Sequence, residues 1–316
     1  MQIEKIDDKI YFLRGSRSSN IYYFDCEKKA IIDTGHPDEI ENNIKIFKDA
    51  GFQLEKVDYI INTHSHGDHN GANAFLKKIN PNIKIFGSPN TEEYQNIRKK
   101  TDTLKEVEDE FEPYQIDIKL NDKDKINLGE YTLEAIETKG HTRDSISYYI
   151  EEKGYIFSGD TFYYRVITQL EYYQSIKKSI AELTETYDKL KKNPLKLMFT
   201  GHGEPIKNPI ENLEFCLRKL KKFQTDNDMA LINNLIPSVE SFVYRNQGVS
   251  KEKVKEFLMK NLSKIELFIT GYEHEKLLRI VEKILAMVRM LNMVKFEGEN
   301  LYLNNKLNEY IGIIKV

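Results

Sequence analysis

The chain has 316 residues, 40% hydrophobic and 31% charged, with a net charge of −3. This length suits one large domain, or one domain with a small appendage, and the weak net charge argues against binding a polyanion by bulk electrostatics. The charged N-terminus lacks a signal-peptide core and no window approaches the ~18 apolar residues of a membrane span, so we expect a cytoplasmic protein without membrane contact. With two cysteines, Cys26 and Cys216, one disulfide stays open but a disulfide-built scaffold is not expected.

Stretches typical of strands and helices alternate through the first two thirds of the chain. The predicted strands, in chain order, are 9–14, 20–26, 29–35, 56–63, 83–88, 115–120, 131–138, 145–150, 154–160 and 195–202. The predicted helices are 37–51, 71–80, 91–111 and 174–192. This alternation favours an α/β sandwich with sheets inside and helices outside.

The pattern changes after residue 222. A helix opened by Ser250 is predicted over 249–262, and a longer one with a full apolar stripe over 274–293. The stretch 293–304 then alternates around Glu297 and Gly298, as a β-hairpin does. We therefore predict a domain boundary near residue 225, with residues 226–316 forming a small winged-helix-like domain.

Histidines and aspartates stand where the predicted buried strands end. Five of the seven histidines lie at such junctions, three of them in the stretch THSHGDH. Loops at the carboxyl edge of such sheets are where ligand sites gather. The candidate metal ligands are His64, His66, Asp68, His69, His141, Asp160 and His202.

The spacing of these residues favours two metal ions over one. In His64-x-His66 both imidazoles point the same way from an extended segment, whereas Asp68 and His69 follow as the chain turns into a helix. Seven nitrogen and oxygen ligands exceed one tetrahedral zinc, and without thiolates they suit zinc, iron or manganese. Any one of these histidines alone would more often be an ordinary loop residue. Chance placement in loops does not explain all seven residues, which follow buried strands in this order.

The motifs THSHGDH, GHT, SGDT and GHG, in this order, resemble those of the metallo-β-lactamase superfamily over roughly residues 3–222. The resemblance implies a four-layer αββα sandwich and a centre of two zinc ions, with iron or manganese as alternatives. Carried over by motif, His64, His66 and His141 would hold the first ion. Asp68, His69 and His202 would hold the second, with Asp160 bridging. The stretch IIDTG implies that Asp33 supports the ligand loop from behind.

The stretch KGHTRDSISYYI is similar to the glyoxalase II-like branch of that superfamily. The resemblance implies a hydrolase in which a metal-bridging hydroxide attacks the carbonyl of a small ester, thioester or lactone. Glyoxalase II holds glutathione with basic residues of a C-terminal helical region, and the sequence does not allow those residues to be placed in this C-terminus. The candidate catalytic residues are Asp68 and Tyr163, the latter placed like a tyrosine of acyl-homoserine lactonases that could donate to an oxyanion.

Two other functions remain open. An appended winged helix resembles the β-lactamase-like endoribonucleases, which would make single-stranded RNA the partner in place of a small acyl substrate. The C-terminal segment is nearly charge-balanced, however, so a structural role as a lid or a homodimer contact is favoured. An iron persulfide dioxygenase, which needs only two histidines and one aspartate on a single ion, is the second alternative. A purely structural metal site would not need seven ligands.

Overall fold

The computed structural model describes residues 3–15, 19–101 and 112–304. Its strands are β1 Ile3–Asp7, β2 Ile10–Leu13, β3 Ile21–Phe24, β4 Ala30–Ile32, β5 Tyr59–Ile61, β6 Lys84–Gly87, β7 Ile118–Lys119, β8 Lys125–Asn127, β9 Thr132–Glu137, β10 Ile146–Ile150, β11 Tyr155–Gly159, β12 Leu197–Thr200, β13 Val249–Ser250, β14 Val294–Glu297 and β15 Asn300–Leu303. Its α-helices are α1 Ile40–Asp49, α2 Gly67–Asn70, α3 Asn73–Ile79, α4 Thr91–Thr101, α5 Ile176–Leu190, α6 Pro209–Thr225, α7 Asn227–Arg245, α8 Lys251–Leu262 and α9 His274–Met290.

The first sheet contains seven strands in chain order, from β1 to β7. Strands β1 to β4 are antiparallel neighbours, whereas β4, β5, β6 and β7 run parallel. Parallel neighbours require crossover connections, and helices α1, α3 and α4 lie in those connections. The carboxyl ends of β4 and β5 therefore open at the same edge of the sheet.

The second sheet has the order β12-β11-β10-β9-β8. Strands β8 to β11 are antiparallel, and β11 pairs in parallel with β12 through a crossover containing α5. This parallel pair places the carboxyl ends of β11 and β12 side by side.

Three apolar clusters separate the four layers. Tyr148 of β10 belongs to the cluster between the two sheets, together with Tyr22 and Phe157. Its neighbour Tyr149 points to the opposite face, where it belongs to the cluster that includes α5 and α6. The outer face of the first sheet is covered by α1 and α3, the third cluster. The predicted αββα sandwich is confirmed.

The C-terminal elements follow in the order α7, β13, α8, α9, β14, β15, and the three strands form a small sheet with the order β13-β15-β14. Ser250 caps α8 by accepting a hydrogen bond from the backbone nitrogen of Lys253, and the hairpin turns at Gly298 as expected. The break between α6 and α7 falls at Asp226. The division at residue 225 and the winged-helix assignment stay predictions.

The structure also differs from the sequence predictions. Helix α7, strand β8 and strand β1 were not predicted. Of the helix expected over 91–111, the structure describes Thr91–Thr101, and residues 102–111 lie outside the described part. Cys26 and Cys216 are both buried and free, so the disulfide that had stayed open is not formed. Among the described residues, no helix has the length and apolar character needed to span a bilayer.

Candidate metal centre

Several segments deliver the candidate ligands to one edge of the sandwich. The stretch after β5 carries the histidine-rich motif, and Asp160 directly follows Gly159, the last residue of β11. His202 follows β12 by two residues, and His141 lies in the turn between β9 and β10. Since β5, β11 and β12 each have a parallel neighbour, the convergence follows from the sheet topology.

One group of ligand atoms comes from three histidines. Nε2 of His64 lies 3.1 Å from Nδ1 of His66, and Nε2 of His141 lies 3.1 Å from the same Nδ1 atom. Neutral imidazoles brought this close need a shared cation or proton between their nitrogens. The three nitrogens are spaced as the ligands of one metal ion would be.

A second group surrounds His69 and His202. Oδ2 of Asp68 lies 3.1 Å from Nε2 of His202 and 3.9 Å from Nε2 of His69. Asp160 stands between the two groups: its carboxylate is 3.2 Å from His69, 3.6 Å from His202 and 4.0 Å from His141. The structure thus brings all seven predicted ligands together, with Asp160 in the central position.

Most of the candidate ligands are buried, and their charges shift one another's pKa values. Burial and the neighbouring imidazoles of His69, His66 and His141 lower the pKa of His64 well below its usual value. For His69 burial opposes the charged form, but the carboxylates of Asp160, Asp68 and Asp33 prevail and raise its pKa well above normal. One half of the site therefore resists a proton, while its other half attracts positive charge.

Hydrogen bonds on the far side of the ligand rings orient them. Nδ1 of His69 donates to Asp33, which also accepts from the backbone nitrogen of Thr63 at 2.9 Å and from its hydroxyl at 2.7 Å. Nδ1 of His141 donates to the carbonyl oxygen of Gln169 at 2.8 Å. A proton held on Nδ1 leaves Nε2 of each ring with a lone pair for a metal ion.

Two buried atoms support the fit of a cation. Nε2 of His69 and Oδ1 of Asp160 are both buried, and neither has a hydrogen bond of normal geometry within the described ranges. The two atoms face each other at 3.2 Å without forming a normal hydrogen bond, and a coordinated cation would satisfy both. Gly201 lies against the same two side chains: a Cβ atom there would come within 2.6 Å of Cε1 of His69 and would also clash with Oδ1 of Asp160. The donors are nitrogen and oxygen, which suit zinc, iron or manganese.

Tyr163 lies at the edge of the ligand set. Its ring centroid is 6.3 Å from that of His202. Burial and the adjacent Asp160 carboxylate hold the pKa of Tyr163 well above its usual range, so the phenol keeps its proton. It is therefore a hydrogen-bond donor beside the Asp160 carboxylate.

The remaining two histidines lie apart from the metal groups. His36 is the N-cap of the 3-10 helix Pro37–Glu39, where Nδ1 accepts a hydrogen bond from the backbone nitrogen of Asp38. His274 is exposed at the start of α9.

Sequence reasoning missed Thr63, Thr168 and Gln169. Thr63 holds Asp33, while the hydroxyl of Thr168 lies 3.1 Å from Nδ1 of His141 and Gln169 contributes only a carbonyl oxygen. Backbone carbonyls leave no residue-type signal, so no pattern in the sequence could have identified Gln169.

Residues 14–202 match the family model described as the metallo-beta-lactamase superfamily. Curated relatives include a probable hydroxyacylglutathione hydrolase of Schizosaccharomyces pombe, 29% identical over 157 residues, which are 49% of this chain and 53% of that protein. A hydroxyacylglutathione hydrolase of Rippkaea orientalis is 26% identical over 261 residues, which are 79% of this chain and 86% of that protein. The chain spans about half the length of the first two curated relatives.

Solved structures share the fold at low sequence identity. A metallo-beta-lactamase family protein from Thermus thermophilus superposes with a TM-score of 0.58 at 14% identity, covering 95% of this chain and 100% of that one. A metallo-beta-lactamase from Elizabethkingia meningoseptica has a TM-score of 0.58 at 19% identity, covering 72% of this chain and 92% of the other.

Proposed function

The chain belongs to the metallo-β-lactamase superfamily, and from this we propose that it is a metal-dependent hydrolase of a small thioester. The observation that carries the proposal is the convergence of seven ligands in two groups joined by Asp160. Thioester is preferred over ester or lactone because several curated relatives are named hydroxyacylglutathione hydrolase.

We propose that His64, His66 and His141 hold one ion and that a second group holds the other, with Asp160 between them. The second group consists of Asp68, His69 and His202. The distances of 3.1 Å within the first group and 3.1–3.9 Å within the second support this division. Zinc is the proposed metal because every donor is an imidazole nitrogen or a carboxylate oxygen, a set that zinc accepts without redox chemistry.

Two bound ions would lower the pKa of a water molecule and polarise the substrate carbonyl. The chain's own residues then complete the reaction. Asp68 is the more open of the two carboxylates, with 26% of its side chain exposed against 8% for Asp160, and it accepts the proton that the attacking water loses. Tyr163 donates to the oxygen that becomes negative as the carbonyl is attacked.

The proposed reaction balances without a further reactant. The oxygen of water forms a bond to the carbonyl carbon, and the carbon–sulfur bond breaks. The sulfur leaves as a thiolate and takes the proton that Asp68 accepted from water, while the acyl product releases its remaining proton to solvent and leaves as a carboxylate. Asp33 takes no part in the bond changes. It orients His69 from behind the candidate ligands, through hydrogen bonds from His69 and Thr63.

The test combines metal analysis with a panel of substrates. The purified protein should contain two equivalents of zinc and hydrolyse a hydroxyacylglutathione thioester, and a chelator should remove both properties. His141→Ala and Asp160→Ala should lose metal and hydrolysis together, whereas His274→Ala, at an exposed histidine, should keep both. Unchanged turnover in either ligand variant rejects the dinuclear mechanism.

The same panel separates the alternatives. A lactone or a simple ester as the preferred substrate would keep the mechanism and change the acyl group. Salt-sensitive binding and cleavage of single-stranded RNA would replace the proposal with a nuclease. One equivalent of iron, with oxygen consumed in the presence of a persulfide, would replace it with a dioxygenase.

A further inference from the structure

Helix α7 makes a pair of hydrogen bonds to the loop between β11 and α5. The side chain of Asn234 accepts from the backbone nitrogen of Leu170 at 2.9 Å and donates to the carbonyl oxygen of the same residue at 2.9 Å. An amide that pairs with both backbone groups of one residue fixes the position of that residue as a neighbouring strand would. Asn234 is fully buried and Leu170 is 1% exposed, so water does not compete for these bonds.

Additional bonds connect the same helix to the same loop. The carbonyl oxygen of Asn234 accepts from the side chain of Gln169 at 2.8 Å and from the hydroxyl of Tyr172 at 2.8 Å. The side chain of Asn233 donates to the carbonyl oxygen of Ile167 at 3.2 Å. Residues 167–172 are thus held from one side by two adjacent asparagines of α7.

The held loop also orients a candidate metal ligand. The carbonyl oxygen of Gln169 accepts from Nδ1 of His141 at 2.8 Å, and the hydroxyl of Thr168 lies 3.1 Å from the same nitrogen. A third contact runs from the backbone nitrogen of Glu171 to the carbonyl oxygen of Gly140, which precedes His141. A shift of residues 168–171 would therefore rotate the imidazole.

We propose that Asn234 is a positioning residue for His141, so that helix α7 belongs to the metal-binding machinery. The inference rests on the proposed metal site. Asn234 does not touch the ion or the substrate. It acts through Leu170 and Gln169, and it fixes both the direction of the imidazole and the nitrogen that carries the proton.

A purely structural role for Asn234 makes a different forecast. If the amide only anchors α7, its loss should lower stability and leave the affinity for metal unchanged in the molecules that remain folded. A control of similar stability is therefore needed. Val243 lies in the same helix, is fully buried in the apolar cluster, and stands more than two helical turns beyond Asn234.

The experiment compares Asn234→Ala with Val243→Ala in the full-length protein at a temperature where both are folded. Zinc affinity is measured by competition with a chromophoric chelator, and cobalt substitution gives the absorption spectrum of the ligand field. We expect one of the two ions to bind about tenfold more weakly in Asn234→Ala, with an altered cobalt spectrum. Val243→Ala should match the wild type in both measurements despite a similar loss in Tm.

Gln169→Ala keeps the inference testable if Asn234→Ala does not fold. It removes the tie to the carbonyl oxygen of Asn234 and leaves the pair with Leu170 in place, so a smaller change in the same direction is expected. Equal zinc affinities and spectra in all variants would overturn the positioning role and leave the proposed function standing. A wild-type protein that binds no metal would overturn both.

Discussion

Nδ1 of His69 donates a 2.8 Å hydrogen bond to Oδ2 of Asp33, and both side chains are almost completely buried. Asp33 has a left-handed backbone, with φ of 59°, at the end of β4. This pair fixes which nitrogen of His69 faces the other ligands. The arrangement directs Nε2 toward Asp160, 3.2 Å away.

Replacing Asp33 by asparagine tests this pair. Asparagine tolerates the left-handed backbone, so the fold should survive Asp33→Asn. An amide nitrogen facing Nδ1 would favour a proton on Nε2, the atom needed for the metal. We expect zinc to bind about 10–100-fold more weakly, as measured by equilibrium dialysis. Asp38→Asn, at a side chain that is 80% exposed, should have no effect, and equal losses in both variants would contradict the argument.

Tyr163→Phe removes a donor and preserves the ring. If the phenol stabilises the oxyanion, kcat should fall about 10²-fold while KM and zinc content change little. Steady-state kinetics with the thioester provide the measurement. The adjacent Tyr164 is 51% exposed, and Tyr164→Phe should keep the kinetics of the wild type. Full activity in Tyr163→Phe would assign this residue to packing alone.

Gly201→Ala should displace the candidate ligands and prevent metal binding. A Cβ atom at this position overlaps Asp160 and approaches His69 within 2.6 Å, so at least one ligand has to move. We expect zinc content to drop below one equivalent, together with the loss of hydrolysis. Gly203→Ala is the control, since nothing lies within 4 Å of its Cβ position. Its positive φ of 78° should cost about 1 kcal/mol of stability without loss of metal.

The partly buried Glu240 of α7 should make stability depend on pH. Burial raises the pKa of its carboxyl from 4.5 to about 7, so the folded protein binds a proton that the unfolded chain releases. Its contribution to the free energy of unfolding is therefore complete below about pH 4.5 and is lost as pH rises toward 7. Glu240→Gln should match the wild type near pH 4 and exceed it by on the order of 1–3 kcal/mol at pH 8.

Urea titrations at the two pH values measure this difference. Glu256→Gln, at an exposed position of α8, serves as the control and should leave the difference between the two pH values as it is in the wild type. A larger free energy of unfolding for the wild type than for Glu240→Gln at pH 8 would refute the explanation.

The convergence of the candidate ligands was predictable because histidine and aspartate carry a signal of their own in the sequence. Histidine is scarce in this chain, and His64, His141 and His202 each follow an apolar strand, so their convergence follows from the sheet topology. What holds the ligands was harder to predict. Asp33 was indicated only by a motif, while Gln169 acts through its backbone.

Helix α7 shows a second limit. Pro237 stands in its interior, and because proline removes a helical hydrogen bond, this residue is a sequence signal against one continuous helix over 227–245. A signal was present at its start, where Asp226 accepts hydrogen bonds from the backbone nitrogens of Asp228 and Met229. The importance of Asn234 has no such signal, because its partners are backbone atoms of Leu170, 64 residues away along the chain.

The apolar cluster that covers the outer face of the second sheet continues without a seam into α7, α8 and α9. Leu183 on α5, Leu220 on α6 and Leu235 on α7 are members of that one cluster. The C-terminal third of the chain consequently cannot be exchanged for another domain without changes elsewhere in the protein. Any replacement of α7, α8 and α9 would require new apolar side chains on α5 and α6, because these helices pack against them. The same apolar cluster covers the strands of the second sheet that end at the candidate ligands.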